Sequence, residues 1–455
     1  MMLVRVMKLL LLPLLLFAVF TVLSTAAPSM LETEAPRIAR VGNYSAMMDA
    51  INDDNVRVIK VTHDIAFEGG YILIRRSLSI IGECWGVHGL RRRQGAGTEG
   101  TGISSDEKGR TPHAFYGCRL SGPRLFTVIG LGTRVYFESL DFRLSPGFQN
   151  VSLLHVRRSE VTVVACHFNG GGFYSGGRAI DTIGTSSVIL VATTFDDFSA
   201  FEGGCIRISG SFSSLHAKGV VFRGCVDNGG GAGAIAADNA NVSIYAGVFS
   251  GNQGFDGGAI SVQFGSLVLS ASTFENNEQR CLLKEARECL EGAGAITASR
   301  ANVLICSTSF QNNFLMDRIV DVNVHSGSVA LCNTTAEVWL KGGRLPGNSK
   351  TGVVSGSKDK TGVVSGSGSL EGVHRDCQLC PSCTDDICDA RATCETDVSA
   401  YGLTCVCPPQ YASVGRGSLC VQRLVSDVKD GVWSTPGPNN LPSFPSVRTS
   451  EPAHE

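Results

Sequence analysis

Charge is scarce in this chain and evenly split: 39 lysines and arginines stand against 41 aspartates and glutamates in 455 residues, a formal net charge of −2. Without a basic surplus the sequence offers no electrostatic footprint for nucleic acid. Long apolar runs are equally rare. The single one, Leu9 to Leu23, follows Arg5 and Lys8 and precedes "STAA", and no other segment is long enough to cross a bilayer. No histidine stands at ligand spacing from any cysteine, so neither a metal ion nor a cofactor is expected. The N-terminal run has the layout of a secretory signal, residues 1–26, with cleavage near Ala26; a signal anchor is the lesser alternative. The mature chain is therefore expected to lack a membrane span and to be secreted or held at the cell surface. Seventeen cysteines suit an oxidising compartment, where the sequons at Asn43, Asn150, Asn241 and Asn333 are candidates for glycosylation.

What is abundant is glycine, 54 residues, and a phenylalanine that recurs at Phe142, Phe168, Phe195, Phe222, Phe249, Phe274 and Phe310, at intervals of 26, 27, 27, 27, 25 and 36 residues. A second marker keeps step: "GGRAI" ending at Ile180, "GGCI" at Ile206, "GAGAI" at Ile235, "GGAI" at Ile260 and "GAGAI" at Ile296. A repeat of this size cannot bury its own apolar face and is stable only when stacked on neighbours. Aligned on phenylalanine, the positions seven and five residues earlier are apolar in every repeat, as in Val161 with Val163 and Val242 with Ile244. That alternation marks a strand with one buried face. Three residues before phenylalanine stand only Ser139, Ala165, Ala192, Gly219, Ala246, Ala271 and Ser307, which suggests an inward corner too narrow for larger side chains. Tyr245, beside Ala246, is then expected on the outer face.

Two strands and two turns per coil, always in one direction, predict an all-β chain: a right-handed parallel β-helix over residues 46–344. Its first strands and cap are expected between Val56 and Gly82. The "EQRCLLKEAREC" stretch in the longest interval should protrude. Within it Cys281 and Cys289 can pair only if the stretch is a loop rather than one continuous helix. The segment containing Arg91 to Arg93 has no periodicity and reads as a surface excursion bracketed by Cys84 and Cys118. A disulfide between these two would close it, worth about 3 to 4 kcal/mol.

The alternation of "FSGN", "FENN" and "FQNN" with "GGAI" resembles the repeats of polymorphic outer-membrane proteins, and the tube resembles the pectin-lyase superfamily, together over roughly residues 56–336. The resemblance implies the β-helix and leaves activity open, because members include adhesins, polysaccharide lyases and glycosidases.

Beyond the tube, "KTGVVSGS" occurs twice, at residues 350–357 and 360–367, within a stretch (345–376) whose glycine and serine predict a flexible linker. Residues 377–422 are dense in cysteine, and 423–455 read as a disordered, Pro-rich tail. Cys383, Cys388, Cys394, Cys405, Cys407 and Cys420 are spaced as in an epidermal-growth-factor-like (EGF-like) module, which they resemble. Spacing alone leaves fifteen connectivities open. The resemblance implies Cys383 with Cys394, Cys388 with Cys405, and Cys407 with Cys420. The acidic cluster of the family's calcium-binding subtype is missing before Cys383. Cys377 and Cys380 fall outside the six and are expected to form a bridge, mutual or to another part of the chain. Cys306 and Cys332 share an outward register one coil apart, so a bridge between them satisfies disulfide geometry.

An outward column on the short strand reads His155, Asp181, Arg207, Ala236, Ser261, Thr297 and Asp321. His155, Asp181 and Arg207 on consecutive rungs are the candidate catalytic residues, with a base, a carboxylate and a guanidinium suited to polysaccharide cleavage. Equally, opposite charges on adjacent strands stabilise a sheet face without any chemistry. "FDDF" at Phe195 to Phe198 resembles the paired aspartates of polygalacturonases, whose companion His-Gly and Arg-Ile-Lys elements are not in matching positions. The sequence therefore favours a non-catalytic recognition or adhesion protein, with extracellular glycans or proteins as partners, over a lyase or hydrolase.

Overall fold

A computed structural model describes residues 37–84, 117–147, 151–172, 176–280, 292–315, 318–332, 334, 336–341, 352–355, 380, 392–397, 402–408, 411–414 and 419–422. The expected signal segment, Arg91 to Arg93, Asn150, Asn333, Cys281, Cys289, Cys377, Cys383, Cys388 and the expected tail lie outside the described residues. The body is a parallel β-helix. Strands pair in register from coil to coil, so that Val161 faces Val188 and Phe168 faces Phe195. They gather into sheets of twenty, nine and six strands.

Each coil has three main walls where the sequence suggested two strands. The first wall includes Ser152–Arg157, Arg178–Ile183 and Ile260–Gln263; the second includes Glu160–Val164, Ser187–Val191 and Ser266–Ser270. Both belong to the large sheet because Ile206–Lys218 and Ile235–Tyr245 run across the corner between them. The third wall consists of short strands centred on each phenylalanine, five residues long at Leu140–Leu144 and three in the later coils, such as His167–Asn169 and Thr194–Asp196. Strands so short carry too little alternation to be seen in sequence.

Inside, the valines, isoleucines and leucines of the first two walls are fully buried, and the phenylalanines form a continuous stack. From Phe142 to Phe310 successive ring centroids lie 4.5 to 5.0 Å apart with planes within 14° of parallel. Next to that stack, the last asparagines of "FSGN", "FENN" and "FQNN" form a second, polar ladder. Asn252 Nδ2 donates to Asn277 Oδ1 at 2.9 Å and Asn277 Nδ2 to Asn313 Oδ1 at 2.9 Å, while each also donates to a backbone carbonyl. All three are completely buried, so the ladder satisfies turn groups that no water reaches. At Gly258 of "GGAI" the reason for glycine is contact rather than torsion: a Cβ there would lie 1.9 Å from the Gly294 carbonyl oxygen of the next coil.

The small column three residues before phenylalanine has a different cause from the one inferred. Ser139, Ala165, Ala192, Ala246, Ala271 and Ser307 all have φ between 46° and 54°, and Gly219 has φ 60°. Their size reflects a left-handed corner, where a larger or branched Cβ substituent is penalised. The inward corner position is the next residue, Leu140, Cys166, Thr193, Val220, Ser272 or Thr308. There the hydroxyls of Thr193, Ser272 and Thr308 donate back to the carbonyl two residues earlier.

Tyr245 is also corrected: it points outward yet is buried, because Ala392 of the cysteine-rich segment packs on Tyr245 and Ala246. At the N-terminal end the helix Tyr44–Asn52 closes the tube, burying Met47, Ala50 and Ile51, where short strands were expected to form the cap. At the other end Gly352–Ser355, inside the expected flexible linker, pairs antiparallel with Glu337–Lys341. The valines of the first octapeptide thus extend the sheet. Among the described residues no helix is long and apolar enough to cross a membrane.

Candidate functional site

The candidate column is assembled by strand register alone. His155 pairs with Asp181, Asp181 with Arg207, Arg207 with Ala236, and the line continues through Ser261 and Thr297. It then reaches Asn323 rather than Asp321. Asp321 stands two residues earlier and accepts a hydrogen bond from Asn313 Nδ2 at 3.0 Å, closing the asparagine ladder. Ser261, Thr297 and Asn323 are buried, so the column is open only at its upper coils.

There Asp181 is the hub. Its Oδ2 lies 3.2 Å from His155 Nδ1, and its Oδ1 accepts from Arg178 Nη1 at 3.3 Å and lies 4.0 Å from Arg207 Nε. Burial disfavours the carboxylate charge, but the His155 hydrogen bond and the two guanidinium groups outweigh it and hold Asp181 below the usual carboxylate range. Arg207 is turned toward Glu202, 3.0 Å away. Arg178, which sequence reading left inside the repeat marker "GGRAI", also binds the backbone carbonyls of Phe201 and Glu202. The arrangement ties three coils and one turn together. Chemically, the carboxylate is already engaged on both oxygens.

A second charged cluster, missed in the sequence, lies on the outer face of the third wall. His167 bridges two aspartates, with Nδ1 3.0 Å from Asp141 Oδ1 and Nε2 2.9 Å from Asp196 Oδ2. Arg143 Nε donates to Asp141 Oδ2 at 2.8 Å, Arg119 Nε lies 3.5 Å from the same oxygen, and Arg223 Nε lies 3.2 Å from Asp196 Oδ1. Burial alone would drive the proton off His167, yet its hydrogen bonds and proximity to both carboxylates raise its pKa to about 9. His167 is therefore an imidazolium at neutral pH. Asp141 is shifted downward: burial opposes its charge, and the His167 bond and Arg143 overcome that opposition. A signal was present in the sequence. In "DFR", "HFN", "TFD" and "VFR" the flanks of each phenylalanine place Asp141, Arg143, His167, Asp196 and Arg223 on adjacent coils, and both flanks of a buried strand residue point outward. The two adjacent aspartates of "FDDF" diverge: Asp196 joins this cluster and Asp197 takes a left-handed turn at φ 59°.

The cysteines are distributed as follows. Cys84 and Cys118 are bonded (S–S 2.03 Å). Cys306 is bonded to Cys380 (2.07 Å), which corrects its expected pairing with Cys332. Cys306 and Cys332 do face each other in register, but Cys332 takes part in a separate disulfide. Cys205 and Cys225 form a further bridge within one coil. They stand where other repeats have alanine (Ala234, Ala259) and asparagine (Asn252, Asn277), so paired departures from the repeat were the available sign. Cys166 is a free, fully buried thiol whose pKa is pushed up by burial, which leaves it inert. Asn241 is exposed and its Oδ1 accepts from Ser266 Oγ at 2.7 Å, whereas Asn43 caps the first helix through its side chain. Comparisons of the chain with protein-family models, with curated proteins and with solved structures find no match.

Proposed function

We propose that the protein is a secreted or cell-surface recognition or adhesion protein without catalytic activity, binding extracellular glycans or proteins through a face of its β-helix. The observation that carries this reading is the state of Asp181. Both its oxygens are occupied by His155 and Arg178, and below Arg207 the column passes into Ala236, Ser261 and Thr297, which supply neither acid nor base. Substrate cleavage needs an unengaged group poised at the reacting atom, whereas a rigid surface for recognition needs only fixed side chains.

The cysteine-rich segment is read as an EGF-like module. In its favour stand two antiparallel hairpins, Thr393–Asp397 with Gly402–Val406 and Tyr411–Val414 with Leu419–Gln422. The N-terminal signal and the disulfides support export. The test is a screen of purified protein against pectin, alginate and related acidic glycans, with and without calcium. Saturable binding without turnover is expected. Turnover that disappears in both His155→Ala and Arg207→Ala would establish a lyase or hydrolase instead.

A further inference from the structure

The corner between the first and second walls bears an apolar edge that stands exposed among the described residues. Four large side chains project from it: Leu131, Phe212, Phe264 and Ile183, exposed by 82%, 86%, 49% and 42%. The two most exposed sit at the tips of the longest turns, between Ile129 and Arg134 and at the register shift between Ser209 and Ser213.

Two of the four also occupy a conformation that disfavours them. The turns of this corner use left-handed residues, among them Gly184, Asn239, Ser326, Arg158 and Arg300, and at two of them the residue is Phe212 at φ 65° or Phe264 at φ 52°. A bulky residue in that region is a conformational outlier, and Phe212, 86% exposed, regains little packing in return.

Arginine accompanies the apolar tips. Arg75, Arg157, Arg158 and Arg300 are exposed along the same corner, where the carboxylates of the described residues include Asp238 and Glu160, the latter paired with Arg134 at 3.3 Å, and the Arg300 guanidinium lies 5.2 Å over the Phe264 ring. From the Leu131 coil to the Arg300 coil there are six rung steps, about 29 Å at a strand spacing of about 4.8 Å.

We propose that this edge docks the protein on an anionic lipid bilayer, with Leu131, Ile183, Phe212 and Phe264 entering the headgroup boundary and the arginines engaging lipid phosphates. A protein interface needs a patch with a water-excluding rim around its centre, which a single file of tips does not provide. A planar, fluid surface closes around each tip separately, and interfacial binding combines apolar insertion with basic side chains in this way. The proposal is independent of the Asp181 column and of any glycan binding there.

The experiment is co-sedimentation of the full secreted chain with vesicles of phosphatidylcholine alone or with about a third phosphatidylserine. Preferential, salt-sensitive binding to the anionic vesicles is expected. The double variant Phe212→Asn/Phe264→Asn should lose at least tenfold in partitioning while its Tm stays equal or rises, since asparagine suits the left-handed region. Arg158→Gln/Arg300→Gln should abolish the anionic preference. Absence of vesicle binding, or equal partitioning by the phenylalanine variant, would overturn the proposal. So would binding of a soluble sulfated polysaccharide that requires both phenylalanines while vesicles stay unbound, because the edge would then be a glycan site.

Discussion

The bridged His167 makes the tube's stability depend on pH in a predictable sense. In the unfolded chain the imidazole loses its proton near its ordinary value of 6.5, whereas between Asp141 and Asp196 it keeps the proton up to about 9. Below 6.5 both states are protonated and the full stabilisation is present. Between 6.5 and 9 only the folded state holds the proton, so stability falls as pH rises and is exhausted above the folded value. With 1.36 kcal/mol per pH unit, the whole loss amounts to about 3 kcal/mol. The side chain is only 15% exposed, so solvent screening removes little of this. For a domain of this size, about 2 °C of Tm corresponds to 1 kcal/mol, and a decline of about 6 °C from pH 6.5 to 9 follows. The assay is differential scanning calorimetry of the disulfide-intact protein, beside His167→Gln, at half-unit pH steps. Subtracting the variant's curve removes the contribution of the titrating groups that do not interact with His167. A difference curve that is flat from pH 6.5 to 9, or that falls toward acid pH instead, would refute the reasoning.

Asn277→Ala removes the middle of the polar ladder: the Asn252 backbone N–H loses its side-chain acceptor, Asn252 Nδ2 keeps only the Phe222 carbonyl, and the Phe249 carbonyl loses the Asn277 amide. A loss of roughly 2 to 4 kcal/mol in chemical denaturation is expected, against little change for Glu275→Gln on the outer face. A specific protease site inserted between residues 358 and 376 should, once cut, leave the C-terminal fragment attached to the body on a non-reducing gel, because Cys380 is bonded to Cys306. Release without reductant would disprove that bond.

The repeat was legible because every coil must solve the same packing problem. Phenylalanine at near-constant spacing, the alternating valines and "GGAI" together specify a stacked, parallel tube, and the His155, Asp181 and Arg207 line follows from register. Two features looked alike in sequence and differ in cause. Small residues such as Ala246 signal either a narrow interior or a left-handed backbone, and only the torsion angle separates the two. The third wall was hidden because a three-residue strand has no measurable period, and with it went the cluster around His167.

Long-range contacts were decided by the tertiary structure alone. The bond from Cys306 to Cys380, 74 residues away, and the packing of Ala392 on Tyr245 bring the cysteine-rich segment onto the second wall, turning an outward tyrosine into a buried one. Sequence periodicity reports which face of a strand points to the tube's interior, since that repeats in every coil. It carries no record of what later comes to cover the outside, because that contact is made once.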